Sequence, residues 1–315
     1  MDMTDIRRDG YGTRRIEQDP RCGRVEVLDV SAALATPAAE QAIRTRAGRF
    51  TDGKAPMLAT IHRIARQGNT LSVTTAAPEG VTLEDVLGAL EFGTVSMSDQ
   101  AILELASAAT RAVGAMHELP GSLAHGALTP AHVVFPQTGG VLLTGALFAD
   151  ALQALQHNRE QIWREFAVAL PPSASLPRFD QRADVAQLGA LVLAILLRRA
   201  LTCEEYPRGI AELVNIATAK VDASAASASA LRMWLQHALQ LHTKATFGSA
   251  VDAARAFGEI VPEASGRRAG LSASQTAIRE LCGGVKTARP QAAPAAPAQT
   301  TTARLFTFPN VRRSS

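Results

Sequence analysis

The chain has 315 residues, 47% of them hydrophobic, and a formal net charge of +3. That length and apolar share supply a core for one large or two ordinary domains. The charge is too nearly balanced to argue for nucleic acid, and the most apolar stretch, between Asp184 and Arg198, falls well short of the roughly 20 residues a membrane-spanning helix requires. The first residues are charged (Asp2, Asp5, Arg7, Arg8, Asp9) with no apolar segment after them, so no secretory signal is visible and the expected address is the cytoplasm. Cys22, Cys203 and Cys282 are far apart, odd in number and lack Cys-x-x-Cys spacing, so neither a disulfide framework nor a zinc site is implied. The seven histidines form no His-x-x-x-His pair with an accompanying carboxylate, so no metal site is assigned.

In chain order, Gly10-Tyr11-Gly12 reads as a flexible N-terminal turn, because a lone Gly-x-Gly is too common to mark a phosphate loop. Short runs with β-branched members follow: Val25 to Val30, Leu58 to Ile64 and Leu71 to Thr75. Gln67-Gly68-Asn69 and Pro78-Glu79-Gly80 separate them as turns, so this stretch is a small β-rich unit. Ala38, Ala42 and Ile43 recur at helical spacing within it and predict a helix over residues 37–46. After Gly80 the period becomes 3.6. Ser98 can cap a helix striped by Ile102, Leu105, Ala109, Ala112 or Val113, and Met116, running to about Glu118. His132 to Phe135 and Val141 to Thr144 are β-type runs joined by Pro136-Gln137-Thr138-Gly139-Gly140, a hairpin. Asp184 to Leu197 is apolar nearly all round, as in a helix buried at the centre of a lobe. Amphipathic helices fit residues 209–218, 230–241 and 249–257, and Trp163 and Trp234 belong to the core. Ser122 and Ser173 have no Gly-x-Ser-x-Gly context and give hydrolase chemistry no support. Beyond Pro262 the periodicity fades. Residues 287–303 are dominated by Ala, Pro, Thr and Gln and bury too little to offset chain entropy, so a mostly disordered tail is expected. Arg304-Leu305-Phe306-Thr307-Phe308-Pro309, followed by Arg312-Arg313, is either its unstructured end or a docking peptide.

His125-Gly126-Ala127-Leu128-Thr129-Pro130-Ala131-His132 stands where the long helix ends and the hairpin begins. It resembles the protein-kinase catalytic loop, His-Arg-Asp-Leu-Lys-Pro-x-Asn. Val141 to Thr144 then leads into Gly145-Ala146-Leu147, where kinases carry Asp-Phe-Gly. Arg182-Ala183-Asp184-Val185-Ala186-Gln187-Leu188-Gly189 is similar to the kinase segment Lys/Arg-Ser-Asp-Val-Trp-Ser-Leu-Gly that opens the central helix of the large lobe. The resemblance covers about residues 20–260 and implies an α+β, bilobal kinase-like fold. Its expected parts are an N-terminal extension over residues 1–19, a small β-rich lobe over 20–77, a larger and mostly helical lobe over 78–260, and the tail over 261–315.

The same alignment removes the chemistry. A kinase needs one carboxylate to orient the substrate hydroxyl and another to hold magnesium against the phosphates. Ala127 and Gly145 stand at those positions. Thr129 and His132 replace the catalytic-loop lysine and asparagine, and an imidazole is a poor ligand for a hard cation that prefers oxygen. Val25-Glu26-Val27-Leu28 aligns with Val-Ala-Ile-Lys, which puts Leu28 at the lysine position; the only lysine before residue 220 is Lys54. Asp150, close after Gly145, is either a displaced metal ligand or a solvated turn or helix cap. His125 and Asp184 are kept, and in kinases these two tie the central helix to the catalytic-loop backbone. Thr75 aligns with the gatekeeper and Ala76, Ala77 and Pro78 with the hinge, leaving an adenine pocket for ATP or another adenine nucleotide without magnesium. The resulting expectation is a catalytically inactive pseudokinase, a regulatory or scaffolding module for protein partners. Its alternatives are a metal-independent nucleotide sensor and a Ser/Thr protein kinase with rearranged catalytic residues.

Overall fold

The first strands begin at Ile6 in the computed structural model, which describes residues 6–51, 55–121, 123–172, 176–221, 225–241, 245–261, 276, 278 and 279. β1 (Ile6–Asp9) and β2 (Gly12–Asp19) form a hairpin, and β2 continues antiparallel to β3 (Gly23–Val30). Asp9 makes the first turn, its Oδ1 accepting from the backbone N–H groups of Tyr11 at 2.8 Å and Gly12 at 3.1 Å. Asp19 repeats the device before β3, accepting from Arg21 at 2.7 Å and Cys22 at 3.0 Å. After α1 (Pro37–Thr51), β4 (Ile61–Gln67) and β5 (Thr70–Ala76) complete an antiparallel sheet of order β1-β2-β3-β5-β4. Residues 6–19, expected as an extension, are therefore the first hairpin of the small lobe. Their strands, Ile-Arg-Arg-Asp and Gly-Thr-Arg-Arg-Ile-Glu-Gln-Asp, lack the apolar alternation that marks a strand in sequence.

β6 (Gly80–Thr82) enters the large lobe and leads into α2 (Leu83–Glu91), whose start is fixed by a reciprocal cap between Thr82 and Asp85. α3 (Asp99–His117) is capped by Ser98 as its sequence predicts. β7 (Val133–Pro136) and β8 (Leu142–Leu143) form the predicted hairpin, and β7 also pairs with β6. Two short helices that the apolar pattern does not mark follow, α4 (Ala149–Ala154) and α5 (Arg159–Phe166). Then come α6 (Gln181–Leu197), α7 (Ile210–Lys220), α8 (Ala225–Ala238) and α9 (Ala250–Ile260). Every residue of α6 from Ala183 to Leu197 is buried, the outcome its all-round apolar sequence predicts. The architecture is α+β and bilobal.

Two apolar cores hold it. One lies within the large lobe around α6 and includes Trp163 and Trp234. The other crosses between the lobes, bringing Leu28, Ile43 and Val73 against Leu147, Phe148 and Phe166. Each such side chain contributes roughly 1.5–3 kcal/mol on burial, so the lobes are joined by packing as well as by chain. Among the described residues no helix is long and apolar enough to cross a membrane. The tail from residue 280 onward, with its Arg304 to Pro309 segment, lies outside the described residues, as do Lys54, Ser122, Ser173 and Cys282.

Candidate functional site: the interlobe cleft

The catalytic-loop segment is anchored from α6. The Asp184 carboxylate, fully buried, accepts from the backbone N–H of His125 at 2.5 Å and of Gly126 at 2.6 Å. It also accepts from His117 Nε2 at 2.8 Å. That ring is fixed from its other side, because His117 Nδ1 accepts from the Ala250 N–H at 3.0 Å. One turn along α6, Gln187 accepts from Leu128 N–H at 2.8 Å and donates to Gly126 O at 3.2 Å. His125 donates through Nε2 to Thr144 O at 2.9 Å, which ties the loop to the segment before Gly145. Burial pushes the His125 imidazole down to about 3, so the ring is neutral. Asp184 on α6 is thus bonded to the loop backbone at His125 and Gly126, and the His125 ring to the backbone before Gly145.

Three of the four altered positions of the loop and hairpin, Ala127, Thr129 and His132, are buried, and the fourth, Gly145, is half-buried against the His132 ring. Ala127 faces the interlobe core, and Thr129 is buried beside it. His132 is fully buried; its Nδ1–H donates to Ala127 O at 2.6 Å, which leaves Nε2 as an acceptor for the Arg14 guanidinium at 3.0 Å. Burial, and then the neighbouring Arg14 charge, push this imidazole down to about 3. Gly145 has φ +78°, and a Cβ there would lie 2.7 Å from the His132 ring. The ring fills the volume that a side chain at position 145 needs.

From above, the β1–β2 turn descends into the same space. Gly10-Tyr11-Gly12 is not a flexible terminal turn: the Tyr11 ring is 2% exposed and packs against His132, Phe148 and Phe166, with ring centroids 4.8, 5.2 and 5.3 Å away. Its glycines permit the approach. A Cβ on Gly10 would meet Glu165 O at 1.9 Å, and one on Gly12, at φ +147°, would meet Asp29 O at 2.0 Å. Arg14 on β2 is held by Asp9 at 2.8 Å and by Glu26 at 2.7 Å while it donates to His132. Desolvation is the largest single influence on this guanidinium and pulls its pKa down, but the Glu26 and Asp9 carboxylates together reverse it and leave it above the ordinary value. Glu26 aligns with the alanine of Val-Ala-Ile-Lys, so an ion pair stands in the cleft where that alignment puts a methyl group. Leu28, two residues on, is 3% exposed and belongs to the interlobe core, where a lysine would be desolvated.

The hinge offers no spare donor. Ala76 N–H is given to Thr60 O at 2.8 Å and Ala77 N–H to Arg24 O at 3.1 Å, while Pro78 has none. The Arg24 side chain then covers the carbonyls of Ala77 and Pro78 at 2.9 and 2.8 Å. What is left of the cleft beneath Thr75, above Val134 and Thr144 and beside Arg14 and Glu26, is a cavity of about 200 Å³. Small-molecule sites are typically about 300–1,000 Å³ and mostly apolar. A larger groove of about 1110 Å³ shares Ala76 to Pro78 with this cavity but extends to Phe50, Leu58 and Leu142 and touches none of residues 125–132.

Arg46 on α1 is a feature the sequence does not announce. It is 3% exposed and donates to Ala146 O at 2.5 Å, Asp150 Oδ1 at 2.8 Å, His125 O at 3.4 Å and Ala124 O. Burial pulls this guanidinium below its ordinary range, opposed by the Asp150 and then the Asp184 carboxylate. Asp150 is accordingly the ion-pair partner of Arg46, in the first turn of α4, and among the described residues no group of three or more His, Cys, Asp or Glu side chains is placed to hold a metal.

No family model matches the chain, and no curated protein matches it in sequence. In three dimensions it is similar to the kinase domain of maize sucrose-induced receptor kinase 1 bound to AMP-PNP. The TM-score is 0.61 at 13% identity, over 82% of this chain and 93% of that one. The fold is therefore protein-kinase-like, and at that identity the likeness speaks to the fold alone.

Proposed function

We propose that this chain is a catalytically inactive pseudokinase domain, a regulatory or scaffolding module that works through protein partners. One observation carries the reading: the part of the interlobe cleft next to the catalytic-loop segment is occupied by the chain itself, with Tyr11 of the β1–β2 turn against His132 and Arg14 bonded to His132 and Glu26. The absence of carboxylates at Ala127 and Gly145 supports it, since neither proton acceptance nor magnesium binding has a group to perform it there. The engaged hinge donors and the small charged cavity argue against a nucleotide sensor. A thermal-shift series with adenosine and with ATP, each with and without magnesium, tests this. The expected result is no shift in Tm for any of the four, and no phosphate incorporation into the protein or a generic substrate. Stabilisation by ATP that needs magnesium would reveal a metal site and withdraw the proposal; equal stabilisation by adenosine and ATP would favour the sensor.

A further inference from the structure

We infer that Arg46 is a lobe lock, a buried guanidinium whose hydrogen bonds hold the small and large lobes in one arrangement. All three of its nitrogens are used, and every hydrogen-bond partner given for them lies in the other lobe. Nε donates to Ala146 O at 2.5 Å, Nη1 to Asp150 at 2.8 Å, and Nη2 to the carbonyls of Ala124 and His125. Three separate pieces of the large lobe are thus gathered on one side chain: the catalytic-loop segment, the turn at 146–148 and the start of α4. A guanidinium presents five N–H donors in a rigid plane and can reach carbonyls on several sides at once, whereas an ammonium donates from a single point. Side-chain exposure is 4% for Arg46 and 37% for Asp150, so the cation is inside while its counter-ion keeps contact with water. The carbonyls it satisfies have little water to turn to, which makes separation of the lobes costly in hydrogen bonds. Arg14 to His132 is a second tie across the same cleft. Arg46 thereby fixes α1 against α4, which follows from the geometry whether or not the fold retains activity.

Hydrogen exchange on the full chain, without nucleotide, tests the lock in the wild type and in Arg46→Ala, Arg46→Lys and Asp150→Asn. Arg46→Ala is expected to accelerate exchange roughly tenfold or more both in α1 and in residues 123–128, while α6 keeps its protection. Arg46→Lys is expected to restore only part of it. Asp150→Asn keeps the carbonyl contacts and removes the counter-ion, so it shows the same two segments loosening to a smaller extent and decides the matter even if Arg46→Ala does not fold. Wild-type exchange in both segments of either folded variant overturns the inference. So does acceleration confined to α1, which would make Arg46 a local support of its own helix.

Discussion

The ring of His132 and the absent side chain of Gly145 share one volume. The resemblance singles out each position in sequence, but the dependence between them is not legible there, because it arises from a 2.7 Å approach across thirteen positions of chain. Gly145→Asp is expected to destabilise the protein by about 2–4 kcal/mol, the sum of a left-handed backbone and an overpacked site. Adding His132→Asn vacates part of the ring's volume. In a double-mutant cycle measured by denaturant unfolding the pair should couple favourably by about 1 kcal/mol or more. Additive losses would mean the ring moves aside freely and does not define the site. Leu28 teaches the same lesson. Its sequence position announces a missing lysine, and only the packing against the interlobe core explains why an apolar side chain is required there.

The β1–β2 hairpin is the element on which sequence and structure part most clearly. α6 is legible because burial on all sides writes itself as an unbroken apolar run, and α3 because its stripe and Ser98 cap are regular. β1 and β2 are dense in arginine and acid, and what makes them strands is pairing with β3, a tertiary cause that leaves no local period. For the same reason the role of Tyr11 is hidden behind two glycines that fit any turn. The Tyr11 hydroxyl is buried with no hydrogen-bond partner among the described residues, and burial pushes its ionisation well above the ordinary range. Removing that oxygen removes an unpaired polar group, so Tyr11→Phe should leave stability unchanged or raise it by about 1 kcal/mol. Tyr11→Ala, which empties the space between three aromatic rings, should cost about 3–5 kcal/mol. Thermal or urea unfolding of the two variants separates plug from turn. Equal behaviour of both with the wild type would place the ring outside the packed cleft.

At the scale of the whole molecule, two neutral histidines are fully buried in and beneath the catalytic-loop segment, and this shapes how stability follows pH. The folded-state values of His125 and His132 are each pushed down to about 3, chiefly by burial. In the unfolded chain an imidazole titrates near about 6.5. Above that value neither state holds the protons, and the two rings contribute no pH dependence. Between about 6.5 and 3 the unfolded chain binds more protons than the folded one, so folding stability falls as pH falls, by up to about 1.4 kcal/mol per pH unit for each ring. A protonated His132 could no longer accept from Arg14 and would face it as a like charge, while a protonated His125 would lose its acceptor role toward the Ala127 N–H at 3.3 Å. The first effect strikes the tie between the catalytic-loop segment and the small lobe, and the second a bond within that segment. Urea unfolding from pH 7.5 down to pH 4.5 should therefore show a midpoint that is flat near neutrality and declines below about pH 6.5. His132→Gln, which retains an amide in place of a titrating ring, should lower stability at pH 7.5 yet shallow the decline by about half. An undiminished slope in that variant would mean that His132 is open to water, and that the cleft is not sealed by the chain that lines it.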